Sequence, residues 1–422
     1  MRVATMRFGM DSVPNSLTFG LWVDSGSRNE APNKNGIAHF LEHLIFKGTY
    51  NRTRRDIETE IEDMGAHMNA YTTREQTVYQ MRCFNKDLPA CMTLLSDIIN
   101  NSKLCKSAIE QEKAVVLREM EEVSKSEEEL IFDDLHKEMY KGHPLGNTIL
   151  GPKGNILGFK REDLVSYMRA NYTPEKMMIL GVGNVDHGSF RDIAEAHFGG
   201  ASTGPGDGIL SNRVGHKGPQ IAQSSPVLVH RRASSDGKTL LAMAYSGVSW
   251  RSDDLLKAMF LQSMLGEYGA SINRATGYKN QILERILLGI KDQVELFETF
   301  NTSYKDTGMF GWYLKSTGDL SHKDILEQSK LISSRLQNLH SIISEDDIIR
   351  VKRILSYQLT SLYESSGTLF EEIGRDLITN NRYTSIDEKL QQIQKIDLEA
   401  IKQVIRKYFG SGSGSSEHSA NP

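Results

Sequence analysis

Cysteine is scarce: Cys83, Cys91 and Cys105 are the three in 422 residues. So small and odd a number in a long chain does not make a disulfide framework, and it favours a reducing compartment over secretion. Basic charge is not in excess either. Fifty Lys and Arg against 54 Asp and Glu leave a formal net charge of −4, which argues against nucleic acid as a partner. No apolar run approaches the ~20 residues that a helix needs to cross a bilayer, so an integral membrane protein is not expected. With ten prolines and 35 glycines, collagen-like and wholly disordered chains are excluded. What is present is a globular composition, 39% hydrophobic and 25% charged. The length suits two or three domains of ~150 residues, or one duplicated unit.

The first ten residues, MRVATMRFGM, carry Arg2 and Arg7 and no acid. They resemble an organellar presequence only weakly and read better as the remnant of a first strand. Residues 17–25 read as a buried strand, and NGIAHFLEHLIFKG follows on a helical period with Gly48 as its stop. Thr53 is placed to cap a helix running through Met64, with Gly65 ending it. HMNAY (67–71) and TVYQMRCF (77–84) alternate as the two strands of a hairpin. DLPACMTLLSDIINN opens a helix at Pro89, a helical pattern runs from Ser107 to about Tyr140, and ILGVGNV (179–185) is another strand. Gly, Ser and Pro crowd the stretch from Gly199 to about Pro226, the best linker in the chain.

Beyond that linker the pattern repeats. FGLWVDSGSR (19–28) is echoed by LAMAYSGVSWRSDD (241–254), and VYQMRCFNKDLPACMTLLSDIINN (78–101) by MFGWYLKSTGDLSHKDILEQSKLISSRLQN (309–338). EQEKAVVLREMEEV (110–123) is echoed by SEDDIIRVKRILSYQL (344–359). Two α+β units are expected: an N-terminal half over 1–205, a linker over 206–225 and a homologous C-terminal half over 226–409. A disordered Gly/Ser tail is expected over 410–422. The second half has no counterpart of the His-containing helix, so metal chemistry belongs to the first.

That helix holds the sharpest motif, His39-Phe40-Leu41-Glu42-His43. Residues i and i+4 share a helix face, so the two imidazoles can reach one ion, and two neutral imidazoles suit Zn²⁺. Glu42 then lies beside them, placed to act on water rather than on the metal. HxxEH inverts the HExxH spacing and is the inverzincin signature. The plainer alternative is a helix with two surface histidines. A catalytic zinc needs a third ligand and an open position. Glu119 is a candidate, with Glu112 two turns earlier on the same face, but spacing alone does not single it out among the neighbouring acids.

Taken together, HFLEHLIFKGT, GAHMNAYTTREQTVY and EKAVVLREMEEV resemble the inverzincin family of pitrilysin and insulin-degrading enzyme, and within it the β-type subunits of mitochondrial processing peptidases. HPLGNTILGP (143–152), FNTSYKDTG (300–308) and EEIGRDL (371–377) extend the likeness over about residues 3–409. The resemblance implies an α+β fold of two homologous α/β-sandwich halves, each a mixed sheet with packed helices, enclosing a chamber. It implies one Zn²⁺ per chain on His39, His43 and Glu119, with Glu42 as general base and Glu112 as an auxiliary carboxylate. Asn69, Ala70 and Tyr71 match the family's substrate-binding edge strand, and Phe46 its pocket for a large apolar residue just after the cut. The family pattern has a first strand ending about where this chain begins and a final strand where this chain has its Gly/Ser tail. Truncated ends or a reduced member are therefore expected, with weakened edge strands.

Charge indicates the substrate. Residues 107–134 hold ten acids and three bases, and a surface of one sign concentrates ligands of the other. Glu129 and Asp133, i and i+4 on one helix face, can hold an arginine, and they match the family's site for the arginine two residues before the cut. The resemblance thus implies a zinc endopeptidase that removes presequences from proteins imported into mitochondria or a mitochondrion-related organelle (hydrogenosome or mitosome), cutting after an Arg at P2. It works in the matrix with a non-catalytic α-type subunit as a heterodimer; a homodimer or monomer belongs to a reduced lineage. The alternatives are a core subunit of respiratory complex III and a general oligopeptidase of the same family. Tyr304 is a looser candidate for the active chamber, and His67 and His143 read as structural.

Overall fold

In the computed structural model, residues 1–7, 16–199, 226–233, 235–269 and 280–410 are described. The linker expected over 206–225 and all of the expected tail except Gly410 lie outside them. The chain divides into two compact units that are not two consecutive stretches. The first comprises Met1–Val123, Gly142–Pro219 and Leu362–Tyr383; the second comprises Ser124–Lys141, Gln220–Ser361 and Thr384–Pro422.

The first unit is built on a five-stranded sheet of order β1-β5-β2-β4-β3. Its strands are β1 (Arg2–Arg7), β2 (Ser16–Val23), β3 (His67–Thr72), β4 (Thr77–Phe84) and β5 (Met177–Gly183). The N-terminal residues form a first strand, as read from the sequence: β1 lies parallel to β5 from Arg2↔Met178 to Arg7↔Gly183. All other pairings are antiparallel, and β2 and β5 are almost wholly apolar because both of their faces are covered. Helices α1 (Ile37–Ile45), α2 (Arg54–Asp63), α3 (Leu88–Asn100) and α4 (Lys106–Val123) belong to this unit. On α1, the residues Phe40, Leu41, Leu44 and Ile45 are buried in a core shared with Phe19, Leu21, Tyr79 and Met81 of the sheet.

Local chemistry sets the element ends. Thr53 caps α2 through a reciprocal bond with Asp56, and Gly65 follows the helix at φ +58°. The single helix expected from Ser107 to Tyr140 is instead two. Ser126 accepts a bond from the Glu129 N–H and so starts a new helix, α5 (Glu127–Met139), which lies in the second unit. The helix Ser366–Asn380 returns to the first sheet: Phe370 packs 5.6 Å from the buried Trp22 ring, and Gly374 faces the indole where a Cβ would stand 2.1 Å from it.

The second unit repeats the plan. Its sheet runs β6-β7-β10-β9-β8 with every pair antiparallel: β6 (Val227–Arg232), β7 (Thr239–Ser246), β8 (Glu267–Gly269), β9 (Val294–Ser303) and β10 (Gly308–Ser316). β7 against the β9–β10 hairpin mirrors β2 against β3–β4. The helices His322–Gln337 and Glu345–Ser361 stand where α3 and α4 stand in the first unit's order. No helix among the described residues is long and apolar enough to cross a membrane.

Candidate active site

The site is assembled from α1, α4 and β3. Gly36, at φ +97°, begins α1 but has no side chain with which to cap it. Glu30 supplies the cap from the preceding loop: its carboxylate accepts from the N–H groups of Gly36 (3.0 Å) and Ala38 (2.9 Å) and from Asn35 Nδ2 (2.8 Å). Burial pushes this carboxyl up to about 7 against those hydrogen bonds. The apolar face of α1 faces the core, which leaves His39, Glu42, His43 and Phe46 along the remaining stripe.

Helix α4 brings two carboxylates two turns apart alongside that stripe. Glu119 Oε1 lies 3.5 Å from His39 Nε2, and Glu119 Oε2 lies 3.3 Å from His43 Nε2. Donor atoms of the three residues all fall within 4.8 Å of one another, the only such cluster of three among the described residues. The adjoining imidazoles of His39 and then His43 hold the Glu119 carboxyl well below the usual range. For His43, burial disfavours the charged ring, but the Glu119 and Glu112 carboxylates outweigh it and push the imidazole up.

These residues fit a zinc ion. Two ligands at ~2.0–2.1 Å on a tetrahedral centre lie ~3.3–3.4 Å apart, close to both nitrogen–oxygen separations here. A charge-assisted hydrogen bond would be shorter, ~2.7–2.9 Å. The buried Glu119 Oε2 has no well-directed hydrogen bond. The far nitrogen of His43 is engaged as metal-bound imidazoles require: Nδ1 meets Glu112 Oε1 at 2.9 Å. Glu112 is 3% exposed, and its second oxygen takes Lys47 Nζ at 2.9 Å. Glu112 therefore stands behind His43, on the side away from the convergent Nε2 atoms.

Glu42 accepts a hydrogen bond from Thr72 Oγ1 at 2.5 Å. Beside it opens a cavity of about 380 Å³, walled by Phe46 and Lys47, by Ile57 and Ile61 of α2, and by Asn69 and Ala70 of β3. β3 is one of the two edge strands of its sheet, and its Tyr71 hydroxyl donates to Glu371 on the helix Ser366–Asn380. Glu129 and Asp133 are not in this cluster. They lie on α5 in the second unit, where Glu129 is exposed and Asp133 half-buried. Tyr304, also in the second unit, is buried with its hydroxyl 2.7 Å from His136 Nε2.

Four residues of the site escaped the sequence reading: Glu30, Lys47, Thr72 and Glu371. A helix opening on glycine was the available sign that a cap must come from elsewhere. The others have no local sign, since each acts through a contact that only the fold creates.

Two units of this topology, the first carrying convergent histidines and a carboxylate, define a metallopeptidase-type scaffold. Family models agree along the chain: residues 10–153 match insulinase (peptidase family M16), and residues 158–355 match the peptidase M16 inactive domain. The chain belongs to the M16 family of metallopeptidases. It is 37% identical to the mitochondrial-processing peptidase subunit beta of Lentinula edodes over 93% of this chain and 82% of that protein. It is 35% identical to the protein of the same name from Rattus norvegicus over 97% and 80%. A protease from Helicobacter pylori shares the fold with a TM-score of 0.79 at 19% identity, covering 96% of this chain and 94% of that one. A chain of complex III2 from Candida albicans gives 0.77 at 17% identity, covering 96% and 90%.

Proposed function

We propose that this chain is the zinc-bearing, β-type catalytic subunit of a peptidase that removes presequences from imported mitochondrial precursors in the matrix. The observation that carries the reading is the convergence of His39 Nε2, His43 Nε2 and both Glu119 oxygens, with His43 braced from behind by Glu112.

His39, His43 and Glu119 would hold the ion. When bound, zinc supplies Lewis-acid chemistry, polarising a carbonyl and acidifying water. Glu42 takes the proton of the attacking water on the oxygen left free by Thr72 and delivers it to the leaving amine. Glu112 fixes the His43 tautomer, leaving Nε2 unprotonated toward the ligand cluster. The open edge of β3 at Asn69 and Ala70 offers backbone groups to an extended peptide, which adds as a further strand. Phe46 and the adjoining cavity take the side chain after the cut. Tyr71 supports that strand through Glu371 rather than offering its hydroxyl to substrate. Glu129 and Asp133 take the arginine two residues before the cut, and a non-catalytic α-type subunit completes the active assembly. Retention of the full donor set favours this reading over a purely structural core subunit of complex III, which needs none of it.

The test is cleavage of a synthetic presequence peptide with Arg at P2, by the chain with an α-type subunit, mapped by mass spectrometry with and without a chelator. One cut, with a single residue between the arginine and the scissile bond and lost on chelation, is expected. Substituting Glu129 or Asp133 by Asn should weaken cleavage of that peptide while sparing an arginine-free one. Equal losses on both peptides would remove the arginine assignment, and chelator-insensitive cleavage would remove the zinc mechanism.

A further inference from the structure

Glu42 needs more than proximity to serve as a base. Its side chain has three rotatable bonds, and a base that samples several rotamers presents its oxygen to the water only part of the time. The geometry at the end of β3 removes that freedom. Along a strand, alternate residues face opposite sides, so Met68, Ala70 and Thr72 share one face and His67, Asn69 and Tyr71 the other. Met68 and Ala70 pack on the core beside α1, and Thr72 on that face meets Glu42 Oε2. A carboxylate only accepts, so the hydroxyl donates, which ties down Oε2 and leaves Oε1 available.

Thr72 itself is rigidly held. It forms the last pair of the β3–β4 ladder, opposite Thr77, and the turn beyond is closed by the Thr73 N–H on Gln76 O at 2.8 Å. One residue earlier, on the opposite face, the Tyr71 hydroxyl is fixed to Glu371. The strand end is thus pinned from both faces at consecutive residues.

We propose that Thr72 is a positioning residue for Glu42 and that it ties the aim of the base to the strand on which the peptide docks. This deepens the function proposed above and rests on it. A peptide paired along β3 and the hydroxyl that orients the base share one rigid element, so substrate register and proton acceptor are set together.

The test compares Thr72→Val, which keeps the β-branched shape and deletes the donor, with Thr72→Ser, which keeps the donor. Each is measured in the zinc-loaded assembly on the presequence peptide, alongside zinc content, thermal melting and peptide affinity by fluorescence anisotropy in the presence of chelator. For Thr72→Val, kcat should fall about tenfold or more, the loss expected from deleting one hydrogen bond to a charged group. KM, peptide affinity, zinc content and melting should stay near wild type, and Thr72→Ser should recover kcat to within about threefold. Wild-type kcat in Thr72→Val, a loss confined to KM or peptide affinity, or a Ser variant no better than Val overturns the proposal alone. A wild-type assembly that leaves the peptide uncut overturns the presequence reading and this proposal with it.

Discussion

Replacing Glu112 by Gln separates what that carboxylate does for the fold from what the proposed function asks of it at the zinc site. Both its oxygens are committed, Oε1 to His43 Nδ1 and Oε2 to Lys47 Nζ, each at 2.9 Å. Gln keeps the shape and removes the charge. Breaking a buried ion pair from one side costs ~3–5 kcal/mol. The Lys47 side chain is 23% exposed, so its ammonium reaches water and the loss should shrink to about 1–3 kcal/mol. The imidazole loses its anionic partner, and such losses weaken zinc binding ~10–100-fold, or ~1.4–2.7 kcal/mol. The added change Lys47→Met removes the orphaned cation. Denaturant unfolding should therefore show stability largely recovered in Glu112→Gln/Lys47→Met, while competition with a chromophoric chelator shows zinc affinity still reduced. Wild-type zinc affinity in Glu112→Gln, or recovery of that affinity in the double variant, would refute the bracing of His43 by Glu112.

Three further outcomes are expected. Glu42→Gln should keep fold and zinc content while kcat falls ~10²–10⁴-fold, the range supplied by a positioned base; retained turnover in a peptide assay would remove Glu42 from that role. Glu30, raised from 4.5 to about 7 in the folded protein, binds more protons folded than unfolded across that window. Its stabilising contribution is full below about 4.5 and is lost as pH rises to about 7, on the order of 3 kcal/mol. Urea melts at several pH values should show Glu30→Gln flattening that slope, and an identical slope in the variant would contradict the assignment. Gly374→Ala places a Cβ 2.1 Å from the Trp22 ring and should destabilise by ~1–3 kcal/mol, read as a lower Tm; an unchanged Tm would mean that the helix does not seat there.

Where local chemistry decides structure, the sequence was legible. The β3–β4 hairpin shows as two alternating runs around a polar turn, and α2 shows through its Thr53 cap and Gly65 stop. The break at Ser124–Ser126 was hidden because the capping serine sits inside a run of acids that continues the helical pattern. That break also divides the acidic stretch between the units, placing Glu112 and Glu119 in one and Glu129 and Asp133 in the other. The convergent histidines declare themselves by their i,i+4 spacing, whereas Glu119 stands out from neighbouring acids only through family likeness or through the packing of α4 on α1. Contacts such as Tyr71 with Glu371, 300 residues apart, leave no trace in local pattern.

Metal content tests the central claim most directly. Mass-spectrometric elemental analysis of the purified, folded chain should find one zinc per chain, and none in either His43→Ala or Glu119→Ala with folding intact by circular dichroism. Folded wild-type protein without stoichiometric metal after zinc loading, or zinc retained at one per chain in both variants, would contradict it.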